Sequence, residues 1–506
     1  MSKYFDIDKK FKELTAMATY LAFDLGASSG RGILGTLKDV KLSLKEIHRF
    51  PNGPLEKDGS FYWDYPALLN ELKTGLKKAL AEAPDLAGLA IDTWGVDYAF
   101  FRGNPAKLVR LPYNYRDPRT VAAAEKLWQI IPQKELYKLT GIQCMTLNTI
   151  YQLYAHYLEH PEDFDNSCFL DIPDALAFGL GGDFSAEYSH VSTTNLLDHA
   201  TKTWCWEIID KLGLPRTVFP PVVPSCTAGG RLSAELQKEL NAPALPIYKV
   251  GSHDTASAVL AVPAPESGSW AYVSAGTWAL LGAELASPEL TEEAEINGFT
   301  NEGGIGGTTR FLTNIMGSWL FQETRRVWNE AGKNLSFADM ENMALDADFC
   351  SFFVNPNDAG FATPGNMPER IADFCERTGQ GRPDCDSEIV RAIYDSLALY
   401  FKCKLETLAE VRKDSYACLN IVGGGTKDRL LMQLTADALN IPVVAGPVEA
   451  TAIGNLLGQA IAAGEISGAA EARKVVRNSF DVVRYTPDPT VHAGYMRHLD
   501  RFKKVL

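Results

Sequence analysis

The stretch YLAFDLGASSGRGILGTL, from Tyr20 to Leu37, is the feature that most constrains the fold. Two apolar runs flank a cluster of small residues, which predicts a strand, a glycine-rich turn and a second strand. The stretch WAYVSAGTWALLGAEL, from Trp270 to Leu285, carries the same signal. The likeness suggests that the chain uses one supersecondary unit twice.

Three further segments combine β-prone runs with turns or helices. LAGLAIDTWGVDYAFF predicts a buried strand, a tight bend at Gly95 and another strand. YACLNIVGGGTKDRLLMQLTADALN predicts a strand, a three-glycine turn and an amphipathic helix, and IPVVAGPVEATAIGNLLGQAIAAG repeats strand, turn and helix. Strands mixed with helices predict an α/β or mixed α+β protein.

The chain of 506 residues is long enough for roughly two to four domains. The segment VPAPESGS, at 262–269, is rich in Pro, Gly and Ser and predicts a boundary near the middle. We therefore expect an amino-terminal extension over 1–19, domains over 20–261 and 262–490, and a helical tail over 491–506. The extension lacks a signal peptide's apolar core, and Met17 is an alternative start.

Composition argues against several classes of protein. The net charge of −14 argues against a general nucleic-acid binder, so a bound anion would need local donors. The sequence contains no run of about 18 apolar residues, so it predicts no membrane span. Nine cysteines without a CxxC pair are typical of reduced thiols in the cytoplasm, which is the expected location, and we expect Cys375 and Cys385 not to pair.

The turn in DLGASSGR is a candidate phosphate-binding loop. Small residues let backbone N–H groups approach an anion, Asp24 could hold Mg²⁺ through its water shell, and Arg31 could neutralise a phosphate oxygen. A plain hairpin with solvated charges is the alternative. The sequence is neither a P-loop nor a GxGxxG fingerprint.

Two more turns carry exposed backbone. SAGTW adds the Thr277 hydroxyl as a donor, and IVGGG bares the chain at Gly423–Gly425. Close packing of a helix on a sheet also selects glycine, and for the three-glycine turn taken alone packing is the favoured explanation. Three such turns in one chain favour a nucleotide.

The segment VGSHDTASAVLAV places Asp254 at the head of an apolar helix. Asp is a common helix cap, and it is also the residue that takes a hydroxyl proton in phosphoryl transfer to an alcohol. His253 and Thr255 would then be hydrogen-bonding neighbours of a polyol, although His253 could equally be a core histidine. The Trp–Gly pair in IDTWGVDY and the amide in TNIMGSWLFQE suit the binding of a sugar. Aromatic residues beside apolar runs are also typical of a hydrophobic core.

Nine motifs occur in an order that resembles the FGGY family of carbohydrate kinases: DLGASSGR, IDTWGVDY, YRDPRT, SHDTASAV, SAGTW, TNEGG, NIMGSWL, IVGGG and AGPVEATAIGN. The resemblance runs from about Tyr20 to near Asp488. GASSGR, DTWGVD and SHDTA are similar to the branch of the family that acts on L-rhamnulose.

The resemblance implies two ribonuclease-H-like domains of the actin and sugar-kinase superfamily with an interdomain cleft. It also implies phosphorylation of the 1-hydroxyl of L-rhamnulose with ATP and Mg²⁺, so that the partners are a small sugar and ATP. A kinase for another ketose, such as L-fuculose or xylulose, and a non-catalytic ATP- or sugar-binding module remain alternatives.

The resemblance also implies roles for particular residues. Asp254 matches the general base, and Asp24 matches a carboxylate for Mg²⁺. The substrate positions are Gly95, His253, Asp254, Thr255 and Asn314. The nucleotide positions are Ala27, Ser28, Ser29, Gly30, Arg31, Thr277, Gln322, Gly423, Gly424 and Gly425.

Overall fold

The computed structural model describes residues 17–265 and 268–506, so residues 1–16 of the predicted extension lie outside it. The chain forms two compact units, each assembled from separate segments. The first contains the chain up to Ala261, Leu285–Phe311 and Ala450–Ser479. The second contains Val262–Glu284, Leu312–Glu449 and Phe480–Leu506.

The first unit is built on a six-stranded mixed sheet. Its strands are β1 (Ala18–Leu25), β2 (Ser29–Lys38), β3 (Lys41–Pro51), β4 (Gly88–Thr93), β5 (Thr227–Arg231) and β6 (Pro246–Lys249). Their order across the sheet is β5-β6-β4-β1-β2-β3. The predicted strand–turn–strand is confirmed, because β1 pairs antiparallel with β2, while its other edge pairs parallel with β4.

The two faces of β1 have different roles because side chains alternate along a strand. Leu21, Phe23 and Leu25 lie in a hydrophobic core with helix α1 (Tyr65–Glu82) and helix α2 (Ile172–Leu180). Ala22 and Asp24 therefore point to the opposite face.

Helices α3 (Asp254–Leu260) and α4 (Ala450–Ala462) pack together, and α4 lies against β1 and β4. Small residues permit the close approach. A β-carbon on Gly454 of α4 would lie 1.8 Å from the Ser257 carbonyl oxygen, and one on Gly35 of β2 would lie 2.4 Å from Leu456. Both glycines are therefore required by packing.

A second core of the first unit surrounds a three-stranded sheet of Tyr98–Arg102, Lys107–Leu108 and Ser167–Asp171. The bend predicted at Gly95 connects β4 to the first of these strands. The other helices of the unit are Arg119–Ile130, Gln133–Thr140, Thr149–Glu159, Tyr188–Val191, Trp206–Lys211, Ala234–Leu240, Glu292–Ile296 and Ala469–Ser479.

The second unit repeats the pattern of strands. Its strands β7 (Ala271–Ala275), β8 (Ala279–Leu285), β11 (Leu419–Val422), β12 (Val443–Ala445) and β13 (Val483–Tyr485) follow one another in the order β8-β7-β11-β12-β13. Strand β9 (Thr300–Gly303) and the first residues of its neighbour β10 (Thr309–Ile315) belong to the first unit. As in β2-β1-β4, an antiparallel pair, β8-β7, continues into a parallel neighbour, β11.

The helices of the second unit are Trp319–Glu330, Phe337–Asp346, Met367–Arg377, Asp386–Arg412, Arg429–Leu439 and Pro489–Lys503. Among the described residues, none of the helices has the length and apolar character needed to cross a membrane. All nine cysteines are free thiols, with Cys375 buried and Cys385 exposed.

We predict that Gly454→Ala destabilises the first unit by about 3 kcal/mol, because the new methyl group forces α3 and α4 apart against a backbone oxygen. The midpoint of thermal unfolding measures the effect. Gly53→Ala is the matched control, since a β-carbon there meets open space and should change stability by less than about 0.5 kcal/mol. Equal midpoints for the two variants would contradict the packing argument.

Candidate active site

Three charged side chains form a row across the carboxyl end of β1. Asp24 is paired in register with Arg31 on β2 and with Asp92 on β4, so all three point to the face that α4 covers. Asp24 forms an ion pair with Arg31, and their side chains are only 10% and 20% exposed. Asp24 and Arg31 were both predicted to belong to one phosphate site, and the structure places them side by side. It also places a second carboxylate, Asp92, next to Asp24.

Asp92 was not among the predicted site residues, and it is fully buried. The Asn455 amide of α4 donates to Oδ2 of Asp92 at 2.6 Å, and Gln459 donates to Oδ1 of Asn455 and to the Leu21 carbonyl. Oδ1 of Asp92 has no hydrogen-bond partner among the described residues. The signal that could have revealed Asp92 is a charged residue closing the apolar run GLAID.

Burial, followed by the Asp24 carboxylate, raises the pKa of Asp92 well above its usual range, against the opposing hydrogen bond from Asn455. The Asp254 carboxylate also raises it. Asp24, Asp92 and Asp254 are therefore electrostatic neighbours, and the first unit concentrates three acids at one edge of its sheet.

Asp254 is the first residue of α3, and the capping alternative is not observed. The residue before it, His253, occupies the N-cap position without a side-chain capping hydrogen bond. The Asp254 carboxylate instead accepts from the Thr255 hydroxyl at 3.0 Å, and the side chain is 35% exposed. The Asp254 carboxylate is therefore partly open to solvent.

Buried hydrogen bonds fix the backbone that leads into Asp254. The Thr93 N–H of β4 donates to the Ser252 carbonyl at 2.9 Å. Glu187, which is fully buried, accepts from the Ser252 hydroxyl and the Ser252 N–H at 2.7 and 3.1 Å. Ser189, whose hydroxyl also donates to Glu187, accepts from the His253 N–H.

The His253 ring lies between Asp254 and a buried ion pair. Its Nε2 is 3.4 Å from Oδ1 of Asp254, and its Nδ1 is 3.1 Å from a terminal nitrogen of Arg310. Glu302 is 2.9 Å from Arg310 and 3.3 Å from Nδ1 of His253. Although burial opposes it, Arg310 and His253 hold the pKa of Glu302 below its usual range.

Glu302 and Arg310 were not predicted as site residues. Each is an isolated charge within a β-prone run, TNEGG and TTRFLTNI, and that isolation is the available signal. Gly95 is close to the same ring, because a β-carbon there would lie 3.3 Å from Nε2 of His253. The structure thus brings together the predicted substrate residues Gly95, His253, Asp254 and Thr255.

Trp94, beside Gly95, belongs to the core rather than to an open sugar-stacking face. It is 6% exposed, and its ring lies 4.1 Å from that of Trp63. Both indole N–H groups donate to Asp97, at 2.9 and 2.5 Å. Burial raises the pKa of Asp97 to about 6 despite these bonds. The tryptophans anchor the bend that carries Gly95.

The predicted loop Ala27–Arg31 begins in the turn between β1 and β2, and its last three residues form the start of β2. Ser28 is exposed, and the turn is closed by the Gly26 N–H donating to the Ser29 carbonyl at 2.9 Å. Gly30 has a packing reason as well, because a β-carbon there would lie 2.1 Å from the Phe50 ring. Binding of phosphate by this turn stays a prediction.

The predicted nucleotide residues of the second unit lie around the β7–β8 turn. The Thr277 hydroxyl is 3.5 Å from Oε1 of Gln322, and a β-carbon on Gly423 would lie 2.8 Å from the Ala275 carbonyl. Gly425 faces the Ala275 side chain, whereas Gly424 faces open space. Asn314 lies on β10, and its carbonyl accepts from Asn357.

His190 lies behind the Gly95 bend and is completely buried. Its Nε2 is 3.1 Å from the Trp94 carbonyl, and its Nδ1 is 3.3 Å from Asp171. Burial alone would lower the pKa of His190, but the Asp171 carboxylate and the Trp94 carbonyl raise it to about 9. A pKa in this range predicts a ring that is positively charged at neutral pH.

Comparisons with known proteins identify the family. Residues 19–261 match the amino-terminal domain of the FGGY family of carbohydrate kinases, and residues 271–463 match its carboxy-terminal domain. The chain therefore belongs to the FGGY family of carbohydrate kinases.

Similar relatives within that family carry the name rhamnulokinase. Those from Bacteroides thetaiotaomicron and Halalkalibacterium halodurans are both 40% identical, covering 92% of this chain and 96% and 98% of the relatives. The one from Enterococcus faecalis is 40% identical and covers 97% of this chain and 99% of its own.

Solved structures extend the likeness to the fold. Gluconate kinase from Lactobacillus acidophilus superposes with a TM-score of 0.78 at 15% identity, covering 97% of this chain and 98% of that one. Plasmodium falciparum glycerol kinase with ADP gives 0.76 at 15% identity, covering 96% and 97%. The mixed α/β carbohydrate-kinase fold expected from the sequence is thereby confirmed.

We predict that the destabilisation caused by His190→Gln depends on pH. Because the folded pKa of about 9 exceeds the unfolded value of about 6.5, the ion pair stabilises fully below pH 6.5. That contribution, of the order of 3 kcal/mol, is lost as the pH rises through 9. Denaturant unfolding of wild type and variant from pH 6 to 9.5 measures the difference.

His156→Gln is the matched control, since His156 is also buried but burial lowers its pKa to about 4. That ring is neutral over the whole range, so its effect should not vary from pH 7 to 9.5. A constant His190→Gln penalty would mean that the ring carries no charge.

Proposed function

We propose that this chain transfers the γ-phosphoryl group of ATP to O1 of L-rhamnulose, giving L-rhamnulose 1-phosphate and ADP, in the catabolism of L-rhamnose. Eight relatives named rhamnulokinase, 37–40% identical over at least 92% of the chain, support the substrate. The observation that carries the chemistry is the Asp254 carboxylate, one-third exposed and fixed beside His253.

Asp254 acts as the general base. The C1 hydroxyl oxygen attacks the γ-phosphorus, its proton passes to the Asp254 carboxylate, and the bond to the β–γ bridging oxygen breaks to release ADP. The 35% exposure of the side chain leaves it accessible to a substrate hydroxyl. Gly95, His253 and Thr255 contact the sugar, and Asn314 of β10 is a further residue proposed for sugar binding.

The residues proposed to bind the nucleotide fall into two groups along the chain. Within 20–261, the turn of Ala27, Ser28, Ser29 and Gly30 offers backbone N–H groups to phosphate oxygens, and Arg31 supplies a positive charge. Within 262–490, Thr277 contacts a phosphate, Gln322 contacts the nucleotide, and Gly423–Gly425 lie along the adenosine. The open space at Gly424 fits close contact with a flat ligand.

Asp24 is the carboxylate that would hold Mg²⁺, which neutralises phosphate charge. Mg²⁺ prefers one or two carboxylates and several waters, so a dedicated cage is not required. Residues 17–265 and 268–506 contain no group of three or more His, Cys, Asp or Glu side chains that could hold a metal ion. The unpartnered Oδ1 of Asp92, adjacent in register to Asp24, fits a water of the metal's shell.

The cytoplasm, where ATP is available, is the proposed location. A panel of ketoses tests the substrate, with ADP release measured for L-rhamnulose, L-fuculose and xylulose under identical conditions. We expect the highest kcat/KM for L-rhamnulose. A preference for another ketose would replace the substrate, and ATP consumption that no sugar accelerates would remove the kinase function.

We predict that Asp254→Asn lowers kcat by about 10²- to 10⁴-fold, because the amide cannot accept the hydroxyl proton. ATP binding, measured by calorimetry, should be unchanged. Asp64→Asn is the matched control, since Asp64 caps α1 through the Ala67 N–H and is exposed. Near-normal turnover in Asp254→Asn would rule out the assignment of the base.

A further inference from the structure

The Arg310 guanidinium is fixed in three directions. Its Nε donates to the Gly303 carbonyl at 2.8 Å, one terminal nitrogen lies 2.9 Å from Glu302, and the other donates to Nδ1 of His253 at 3.1 Å. The side chain is completely buried. Two hydrogen bonds and one ion pair leave the planar guanidinium little freedom to rotate.

This geometry determines which ring nitrogen of His253 carries a proton. A guanidinium has only donors, so the Nδ1 atom that faces it must present its lone pair. In the neutral imidazole the proton then resides on Nε2. Nε2 is the nitrogen on the side of Asp254 and Gly95.

Glu302 exerts the opposite preference, because a carboxylate 3.3 Å from Nδ1 would favour a proton there. It is closer to Arg310, at 2.9 Å, and forms an ion pair with it, although Oε2 makes no hydrogen bond to any described residue. The hydrogen-bond geometry at Nδ1 is satisfied by Arg310. Glu302 therefore compensates the buried charge of Arg310, and Arg310 directs the ring.

We propose that Arg310 is a positioning residue, which holds His253 in the Nε2-protonated tautomer so that Nε2–H is presented to an oxygen of the sugar beside Asp254. The role in sugar binding rests on the proposed function. His253 and Asp254 would then contact adjacent oxygens of the ketose. Nε2–H of His253 would hold one oxygen by a hydrogen bond, and Asp254 would take the proton from the other.

The tautomer can be measured directly in the protein without sugar or nucleotide. Histidine labelled with ¹⁵N in the ring gives separate NMR signals for protonated and unprotonated nitrogens, and His253→Gln identifies the signals of His253. We expect unprotonated Nδ1 and protonated Nε2 at neutral pH. A protonated Nδ1 in the wild-type protein overturns the proposal without any variant.

Arg310→Met removes the donor and leaves Glu302 beside Nδ1, so Nδ1 should become protonated. If the ring is neutral, it then has no proton on Nε2 to donate to the sugar. If the ring is doubly protonated, it forms an ion pair with Asp254 and competes with the sugar hydroxyl for that carboxylate. In both cases kcat/KM for the sugar should fall by about 10- to 100-fold, with the KM for ATP unchanged. An unchanged tautomer in the folded variant overturns the proposal.

Glu302→Gln distinguishes the effect of Glu302 from that of Arg310, because it removes the carboxylate and keeps the Arg310 donor. This variant should retain the wild-type tautomer. If it moves the proton to Nδ1, Glu302 rather than Arg310 sets the tautomer and the proposal fails. Should Arg310→Met not fold because it strands the Glu302 charge, Arg310→Met combined with Glu302→Gln removes both charges. That variant should give a mixture of tautomers, and the wild-type tautomer alone would count against Arg310.

Arg391→Met is the matched control for loss of a buried arginine. Arg391 pairs with Asp395 at 2.8 Å in the second unit and should leave the His253 signals and the sugar kinetics unchanged. A shift of the His253 signals in this variant as large as that in Arg310→Met would overturn the proposal. Because the tautomer is measured without ligands, a protein that fails to phosphorylate L-rhamnulose removes the proposed function and leaves this result standing.

Discussion

The parallel pairing of β1 with β4 sets the central constraint on the first unit. It places Asp24 and Asp92 side by side at the carboxyl ends of two strands, largely removed from water. Two adjacent buried carboxylates repel, and each loses hydration, so neighbouring groups must compensate them. Arg31 compensates Asp24 from β2, and Asn455 compensates Asp92 from α4.

That compensation requires α4 to lie very close to the sheet. Ala22 and Ala90, which share the face of the two acids, are fully buried and small. Gly35 admits Leu456, and Gly454 admits the backbone of α3. The helix therefore brings the amides of Asn455 and Gln459 to the sheet, and the glycines and alanines of these elements are explained by the polar site they surround.

The sequence predicts the parts of this arrangement that arise between close neighbours in the chain. The two strand–turn–strand units, the bend at Gly95 and the position of Asp254 at a helix start follow from local patterns, and all are observed. Asp92 and Asn455 are 363 positions apart, and His253 and Arg310 are 57 apart. No local pattern specifies such pairs, because the first unit is assembled from three separate segments.

Gly30 shows the same limit of prediction from local sequence. The sequence favours Gly30 as a residue that bares the backbone for a phosphate, whereas the structure shows that the Phe50 ring occupies the space of its side chain. Both explanations are compatible, but only the second depends on β3, which the turn sequence does not reveal. A glycine in a turn therefore indicates close approach without indicating by what.

The surroundings of Asp254 determine what kind of selectivity this site can have. The peptide that precedes it is held by Glu187, Ser189 and Thr93, and the His253 ring is held by Arg310. Phosphoryl transfer depends chiefly on positioning, which Asp254 would provide as the proposed base in this rigid setting. A rigid set of donors and acceptors cannot adapt to a hydroxyl of the wrong stereochemistry, so a mismatched ketose leaves a buried polar group unpaired. Because that penalty exceeds the gain from an added apolar contact, the fixed hydrogen bonds around His253, rather than the buried tryptophans, should discriminate between ketoses.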